Sequence, residues 1–289
     1  VYDQPLGGAG LSGLSHLVTD DCKFWVRGEP ERMPFAGTFT GLEGFIEFER
    51  RLAENVKGLE LTPRYTVSKR DRDGVIIMVF VQVSGTAKST GRIFLYETVH
   101  EWRIDGLGRV RGFADYNNSF DLYQAFASEP VDSSLIFRHA LPDDMITPTG
   151  ECSATPSVVV DRFYEALLSF DLPKLLDLFE DDAVSQLEGV ENVVPFSGTY
   201  RGKKAIAKQL KAAAANLKPI VGYVDTRYVV EGNRVCARLS EDGTVATPTG
   251  KFMYFLNLHC FTITDEGKIM QFRSYNHTHH VWWTYTEGP

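Results

Sequence analysis

Cysteine is scarce in this 289-residue sequence: Cys22, Cys152, Cys236 and Cys260 complete the set. No two stand in a CxxC spacing and none recurs at a matching place in the two halves of the chain, so neither a zinc site nor a disulfide framework is expected. A reducing, cytoplasmic setting is the default that follows. Positive charge is also short, with 30 Lys and Arg against 38 Asp and Glu and a net charge of −8. Nucleic acid and anionic membrane surfaces require a basic face, so neither is expected as a partner. No apolar run approaches the roughly 20 residues that cross a bilayer. The opening stretch, VYDQPLGGAGLSGLSH, lacks the basic and apolar regions of a secretory signal.

What is present is a repeat. Residues 90–117, TGRIFLYETVHEWRIDGLGRVRGFADYN, recur 159 positions on as TGKFMYFLNLHCFTITDEGKIMQFRSYN at 249–276. Each copy reads as a long strand, a Gly-bearing turn and a second strand, a β-hairpin with His100 or His259 at the same place in its first strand. Upstream, MPFAGTFTG at 33–41 matches VPFSGTYRG at 194–202, and each leads into a helix, LEGFIEFERRLAENV or KKAIAKQLKAAAANL. The second half begins with helical spacing over Phe163, Ala166, Leu167 and Phe170, then a short helix opened by Leu172-Pro173. The first half lacks a visible equivalent of that first helix. The stretch 128–155, rich in Pro, Ser, Thr and Asp, reads as a linker carrying one apolar anchor, Leu135–Phe137. Domains are therefore expected at 1–127 and 156–289.

Strand parity places the histidines. Phe94, Tyr96, Thr98, His100, Trp102 and Ile104 share one face of their strand, and Met253, Phe255, Asn257, His259, Phe261 and Ile263 share the equivalent one. The opposite face of the second copy, with Phe252, Tyr254, Leu256, Leu258 and Cys260, is too apolar to leave in water. It is expected to pack on a partner sheet, most simply the other half of the same chain. Asn117-Asn118-Ser119 and Asn276-His277-Thr278 fit the glycosylation pattern but fall in expected sheet and are discounted. His277, His279 and His280, read as alternating strand residues, form a surface cluster rather than a metal site, and no metal is expected.

The Phe-Tyr-Glu-Ala-Leu…Leu-Phe-Glu-Asp-Asp-Ala helix pair, the Pro-Phe-x-Gly-Thr-x-x-Gly motif and the closing Asp-Tyr-Asn or Ser-Tyr-Asn together resemble the SnoaL-like proteins of the nuclear transport factor 2-like superfamily, which includes ketosteroid isomerase and limonene-epoxide hydrolase. The resemblance spans nearly the whole sequence as two tandem copies. It implies α+β architecture: two cone-shaped barrels, each a curved antiparallel sheet wrapped on helices, packed as an intrachain pseudo-dimer, with the chain a monomer or a homodimer. By position it puts a candidate base at Glu188 in the first strand of copy two, where copy one has Arg27. It puts the polarising group of the second acid at His100 and His259, the oxyanion-hole phenol at Tyr164, and an epoxide-type carboxylate at Asp115, where copy two has Ser274. The remaining pocket residues are Trp25, Tyr96, Trp102, Tyr116 and Asn117 in copy one, and Phe255, Asn257, Phe261 and Asn276 in copy two.

Two function classes follow. One is an enzyme acting without a cofactor on an apolar, oxygenated small molecule of polyketide or terpenoid type, by isomerisation, cyclisation, dehydration or epoxide opening. Glu188 would be its base, with His259 and Tyr164 or Tyr275 polarising the substrate oxygen. The other is a noncatalytic ligand-binding or assembly module. Copy two holds the fuller acid–base set and is the expected active half, with His100 and Asp115 a differently equipped second pocket.

Overall fold

The computed structural model describes residues 16–117, 119–129, 154–190, 193–221, 224–239, 243–246, 248–255, 257–276 and 278–286. The Gly-rich N-terminus, most of the 128–155 linker with its Leu135–Phe137 anchor, and Cys152 lie outside them. The chain divides into two compact units, Val1–Ile146 and Thr147–Pro289.

The first unit runs β1 (Val18–Val26), β2 (Gly37–Thr40), α1 (Gly41–Asn55), β3 (Val56–Asp71), β4 (Gly74–Ala87), β5 (Ile93–Asp105), β6 (Val110–Asn117) and α2 (Ser119–Phe126). Its strands form one sheet in the order β2-β1-β6-β5-β4-β3. The second unit adds the helix pair α3 (Pro156–Leu168) and α4 (Leu172–Asp177), then β7 (Phe179–Leu187), β8 (Gly198–Arg201), α5 (Lys203–Asn216), β9 (Lys218–Val221), β10 (Val224–Glu231), β11 (Arg234–Leu239), β12 (Gly243–Ala246), β13 (Phe252–Phe255), β14 (Leu258–Ile263), β15 (Ile269–Tyr275) and α6 (Thr278–Tyr285). Its main sheet, β10-β11-β14-β15-β7-β8, is the first unit's order read from the other edge.

Both units are α+β. The sheets are mixed rather than purely antiparallel, because the first strand of each unit lies parallel beside its last, β1 on β6 and β7 on β15. The long strand expected over 252–263 is continuous only in the first copy, as β5. In the second copy β13 leaves the main sheet and joins β12 and β9 in a three-stranded one. The final helices α2 and α6 are absent from the sequence reading, and α6 places His279 and His280 on a helix, not a strand.

The structure accounts for several repeated motifs. In both halves the Gly of Pro-Phe-x-Gly-Thr-x-x-Gly that enters the helix, Gly41 or Gly202, has positive φ (66° and 78°). A Cβ at Gly41 would come within 2.8 Å of the Asp20 carbonyl, so glycine is required twice over. The Thr-Gly-basic sequence at the start of each hairpin holds the C-terminus of the closing helix. The Thr90 hydroxyl donates to the Ala125 carbonyl and Arg92 to that of Gln124, while Thr249 donates to Thr284 and Lys251 to Trp283. A cation against unsatisfied helix carbonyls is favourable on both hydrogen-bond and dipole grounds.

The closing asparagines are backbone pins. Asn117 donates to the Arg27 carbonyl at 3.1 Å and Asn276 to the Glu188 carbonyl at 2.9 Å, each tying the last strand to the end of the first. Both side chains are buried, which removes them as glycosylation acceptors and gives them a structural duty. Asn276→Ala is expected to cost the second unit about 1–3 kcal/mol, read as a shift in the urea unfolding midpoint, because a buried carbonyl loses its donor.

Candidate small-molecule site

The side-chain alternation of β5 sends Tyr96, Thr98, His100 and Trp102 to one face. Register fixes their neighbours: His100 lies opposite Asp115 on β6, Trp102 opposite Phe113 and Thr98 opposite Asn117. Phe24 and Val26 of β1 stand beside Phe113 and Asp115. Helix α1 contributes Phe45, Phe48, Glu49 and Leu52, spaced as one helical stripe. With Leu59, Leu61, Val83 and Leu122, these side chains line a cavity whose empty volume is about 730 Å³, its mouth included.

Four polar side chains interrupt the apolar wall. Asp115 accepts from the Thr98 hydroxyl and, at 2.9 Å, from the Asn117 amide. His100 Nε2 stands 3.8 Å from Asp115 Oδ1. Burial lowers the His100 pKa and Asp115 opposes that shift, so the ring is a neutral base whose protonated form has a carboxylate beside it. Burial pushes the Glu49 carboxyl up, toward the neutral acid that can give a proton. It also pushes the Tyr96 phenol well up, with Asp115 and Asp121 adding to the effect, so Tyr96 remains a donor. Glu49 is 7% exposed and was missed in the sequence, although it occupies the apolar stripe of its helix between Phe48 and Leu52.

The second unit builds a different arrangement from equivalent positions. The Tyr164 hydroxyl meets His259 Nδ1 at 3.0 Å, with the two rings nearly parallel, 7° apart in plane. Burial lowers His259 to about 3 and holds the Tyr164 phenol well up, so a neutral phenol meets a neutral imidazole. Phe163, Phe261 and Phe272 pack around the pair. Ser274 stands opposite His259 where the first unit has Asp115, and it donates to Asn276 Oδ1. Asn257 is buried at the β13–β14 break, and the Phe255 side chain lies outside the described residues.

Four expected site residues face the other way. In β7, Ser185 and Leu187 share the face of Phe272 and Ser274. Glu188, one position on, reaches the reverse face and pairs with Arg273 at 3.0 Å, and Arg273 in turn lies 4.4 Å over the Tyr275 ring. Glu188 and Tyr275 are therefore separated from His259 by the sheet, since a one-residue step reverses a strand side chain. Trp25 and Tyr116 likewise lie behind the first sheet, each under the Arg27 guanidinium at 5.3 and 5.5 Å. The residues that converge are His100, Asp115, Tyr96 and Trp102 with Glu49 in the first unit, and Tyr164, His259 and Phe261 in the second.

Residues 160–272 match the model of the SnoaL-like domain. No curated protein matches the sequence. Among solved structures, a nuclear transport factor 2-like protein of Burkholderia pseudomallei K96243 is 18% identical, with 46% of this chain and 99% of that one covered at a TM-score of 0.41. TerC, co-crystallised with polyporic acid, is 18% identical over 45% of this chain and 98% of its own, at 0.40. A Mycobacterium tuberculosis protein in complex with estradiol-17β-hemisuccinate is 15% identical over 42% and 94%, at 0.36. The second unit thus carries the match to a SnoaL-like domain, and the first unit repeats its strand order.

Proposed function

We propose that the first unit binds an apolar small molecule bearing an oxygen function and exchanges a proton with it through its own side chains. The observation that carries this reading is the convergence of His100, Asp115 and Glu49 on an otherwise aliphatic and aromatic cavity. His100, neutral and buried, takes a proton from the ligand, and Asp115 stabilises the imidazolium that forms. Glu49 or Tyr96 donates to the ligand oxygen as negative charge develops there. Isomerisation, cyclisation, dehydration and epoxide opening all contain such a step, and the substrate decides among them. This moves the expected chemistry from the Glu188 half of the chain to the His100 half.

The test separates binding from chemistry. Trp102 lines the cavity, so its fluorescence reports occupancy by polyporic acid, estradiol-17β-hemisuccinate and enolisable steroid ketones used as probes. Proton exchange is read as loss of the ketone α-hydrogen NMR signal in deuterated water. Glu49→Gln, which preserves shape and removes the acid, is expected to retain binding and to slow exchange about 10²-fold. Binding without exchange in the wild type would leave the noncatalytic reading in its place. Absence of any fluorescence response to all the probes would count against the site itself.

A further inference from the structure

Cys236 and Cys260 stand 24 residues apart in sequence, yet β11 pairs with β14 so that they lie directly opposite each other. Their Sγ atoms are 3.3 Å apart. The ladder defines the kind of pair they form. Leu239 N donates to the Asn257 carbonyl and Ile263 N to the Asn233 carbonyl, which marks those two opposed pairs as hydrogen-bonded. Counting inward by alternation, Ala237–His259 is hydrogen-bonded and Cys236–Cys260 is not. Non-hydrogen-bonded pairs bring Cα atoms to about 4.5 Å, inside the ~4.4–6.8 Å range that a disulfide spans. The sulfurs need to close by little more than an ångström, without a shift of register.

The first unit supplies an internal control. At the same register, one residue on from the His100–Val79 pair, it carries Met78 opposite Glu101. The fold therefore does not require two thiols there. Both cysteines lie on the face of the sheet opposite His259, since Cys260 is one position on from it and its β15 partner is Arg273. Cys236 is buried, while Cys260 is partly exposed and is the thiol that solvent reaches first.

We propose that Cys236 and Cys260 are a redox modification site, closing to a cross-strand disulfide with a low-molecular-weight disulfide as oxidant. The Cys260 thiolate attacks one sulfur of the oxidant and releases one small thiol. The Cys236 thiol then gives up its proton, attacks the Cys260 sulfur of the mixed disulfide and releases the second small thiol. Two protein thiols are oxidised and one small disulfide is reduced to two thiols, so protons and electrons balance. Burial raises the Cys260 thiol well above its ordinary value, so the first step is slow at neutral pH and accelerates as pH rises.

The experiment uses the full chain, incubated with oxidised glutathione at pH 8 and then alkylated, digested and mapped by mass spectrometry. The expected product is one linked peptide joining Cys236 to Cys260, a loss of two hydrogens from the intact mass, and a melting temperature that rises and returns with a reductant. Cys236→Ser is expected to stop at a glutathione adduct on Cys260, and Cys260→Ser to take no disulfide in this sheet. Cys236→Met with Cys260→Glu, the pair found at the equivalent register of the first unit, is expected to take no adduct in this sheet and to lose the melting-temperature response to oxidant. If both thiols alkylate fully after prolonged oxidation, or if the linked peptide contains Cys22 or Cys152 instead, the assignment is overturned.

Discussion

His100→Gln is expected to slow ligand proton exchange by about 10²- to 10⁴-fold, the usual contribution of a positioned general base. Ligand binding, read by Trp102 fluorescence, is expected to change only a few-fold. The substitution retains an amide near the place of Nε2 and approximates the volume of the ring, so Asp115 keeps a donor within reach. What it removes is basicity. In the folded wild type the imidazole is buried against Phe113, with ring centroids 5.2 Å apart, and the carboxylate of Asp115 stands ready for its charged form. A catalytic histidine also leaves a pH signature. Exchange by the wild type is expected to fall as acid protonates the base, at a pH below 6.5 because burial lowers its pKa, and His100→Gln loses that limb. A variant that retains full exchange with an unchanged pH profile would remove His100 from the chemistry.

The second large effect is on stability and resides in the other unit. His259 has a folded pKa of about 3, against an ordinary value of 6.5. Between those values the unfolded chain binds a proton that the folded chain refuses, so stability is complete above about pH 6.5 and declines as pH falls toward 3. The full difference corresponds to a loss on the order of 5 kcal/mol, comparable with the whole stability of many domains. His259→Leu removes the titrating group and deprives the buried Tyr164 hydroxyl of its hydrogen-bond partner, which costs about 1–3 kcal/mol at every pH. The expected outcome is a variant less stable than wild type at pH 7 whose disadvantage shrinks or reverses by pH 4. Urea unfolding across a pH series measures it. Parallel pH dependence in the two proteins would show that His259 is not the acid-sensitive group.

The two histidines illustrate how far equal sequence carries equal chemistry. His100 and His259 occupy the same hairpin position, and the alternation of their strands correctly places both among inward aromatic residues. Their partners come from other elements. Asp115 and Ser274 are also equivalent positions, and that one difference gives the first histidine a carboxylate and leaves the second with only a phenol, Tyr164. The helix that carries Tyr164 has no counterpart among the described residues of the first unit.

Glu188 shows where a sequence offset fails. It aligns with the first strand, but its face is defined by the parallel pairing of β7 with β15, which sets Leu187 beside Ser274 and turns Glu188 to Arg273. Glu49 shows the converse. A glutamate on an apolar helical stripe is visible as an anomaly, but only the packing of α1 over the first sheet shows that its carboxyl lines a cavity.

By itself the sequence determined the two-fold repeat, the α+β character of each copy, the hairpins with their glycine turns and the inward direction of both histidines. These rest on local rules, on period-two alternation and on backbone conformations that only glycine adopts readily. The tertiary structure alone decided which strands became neighbours. Pairing brought Val26 of the first strand beside Asp115 and Cys236 opposite Cys260, and it separated Glu188 from His259. Such contacts join residues far apart in the chain through hydrogen-bonded register, and no local pattern encodes register between strands that are not consecutive.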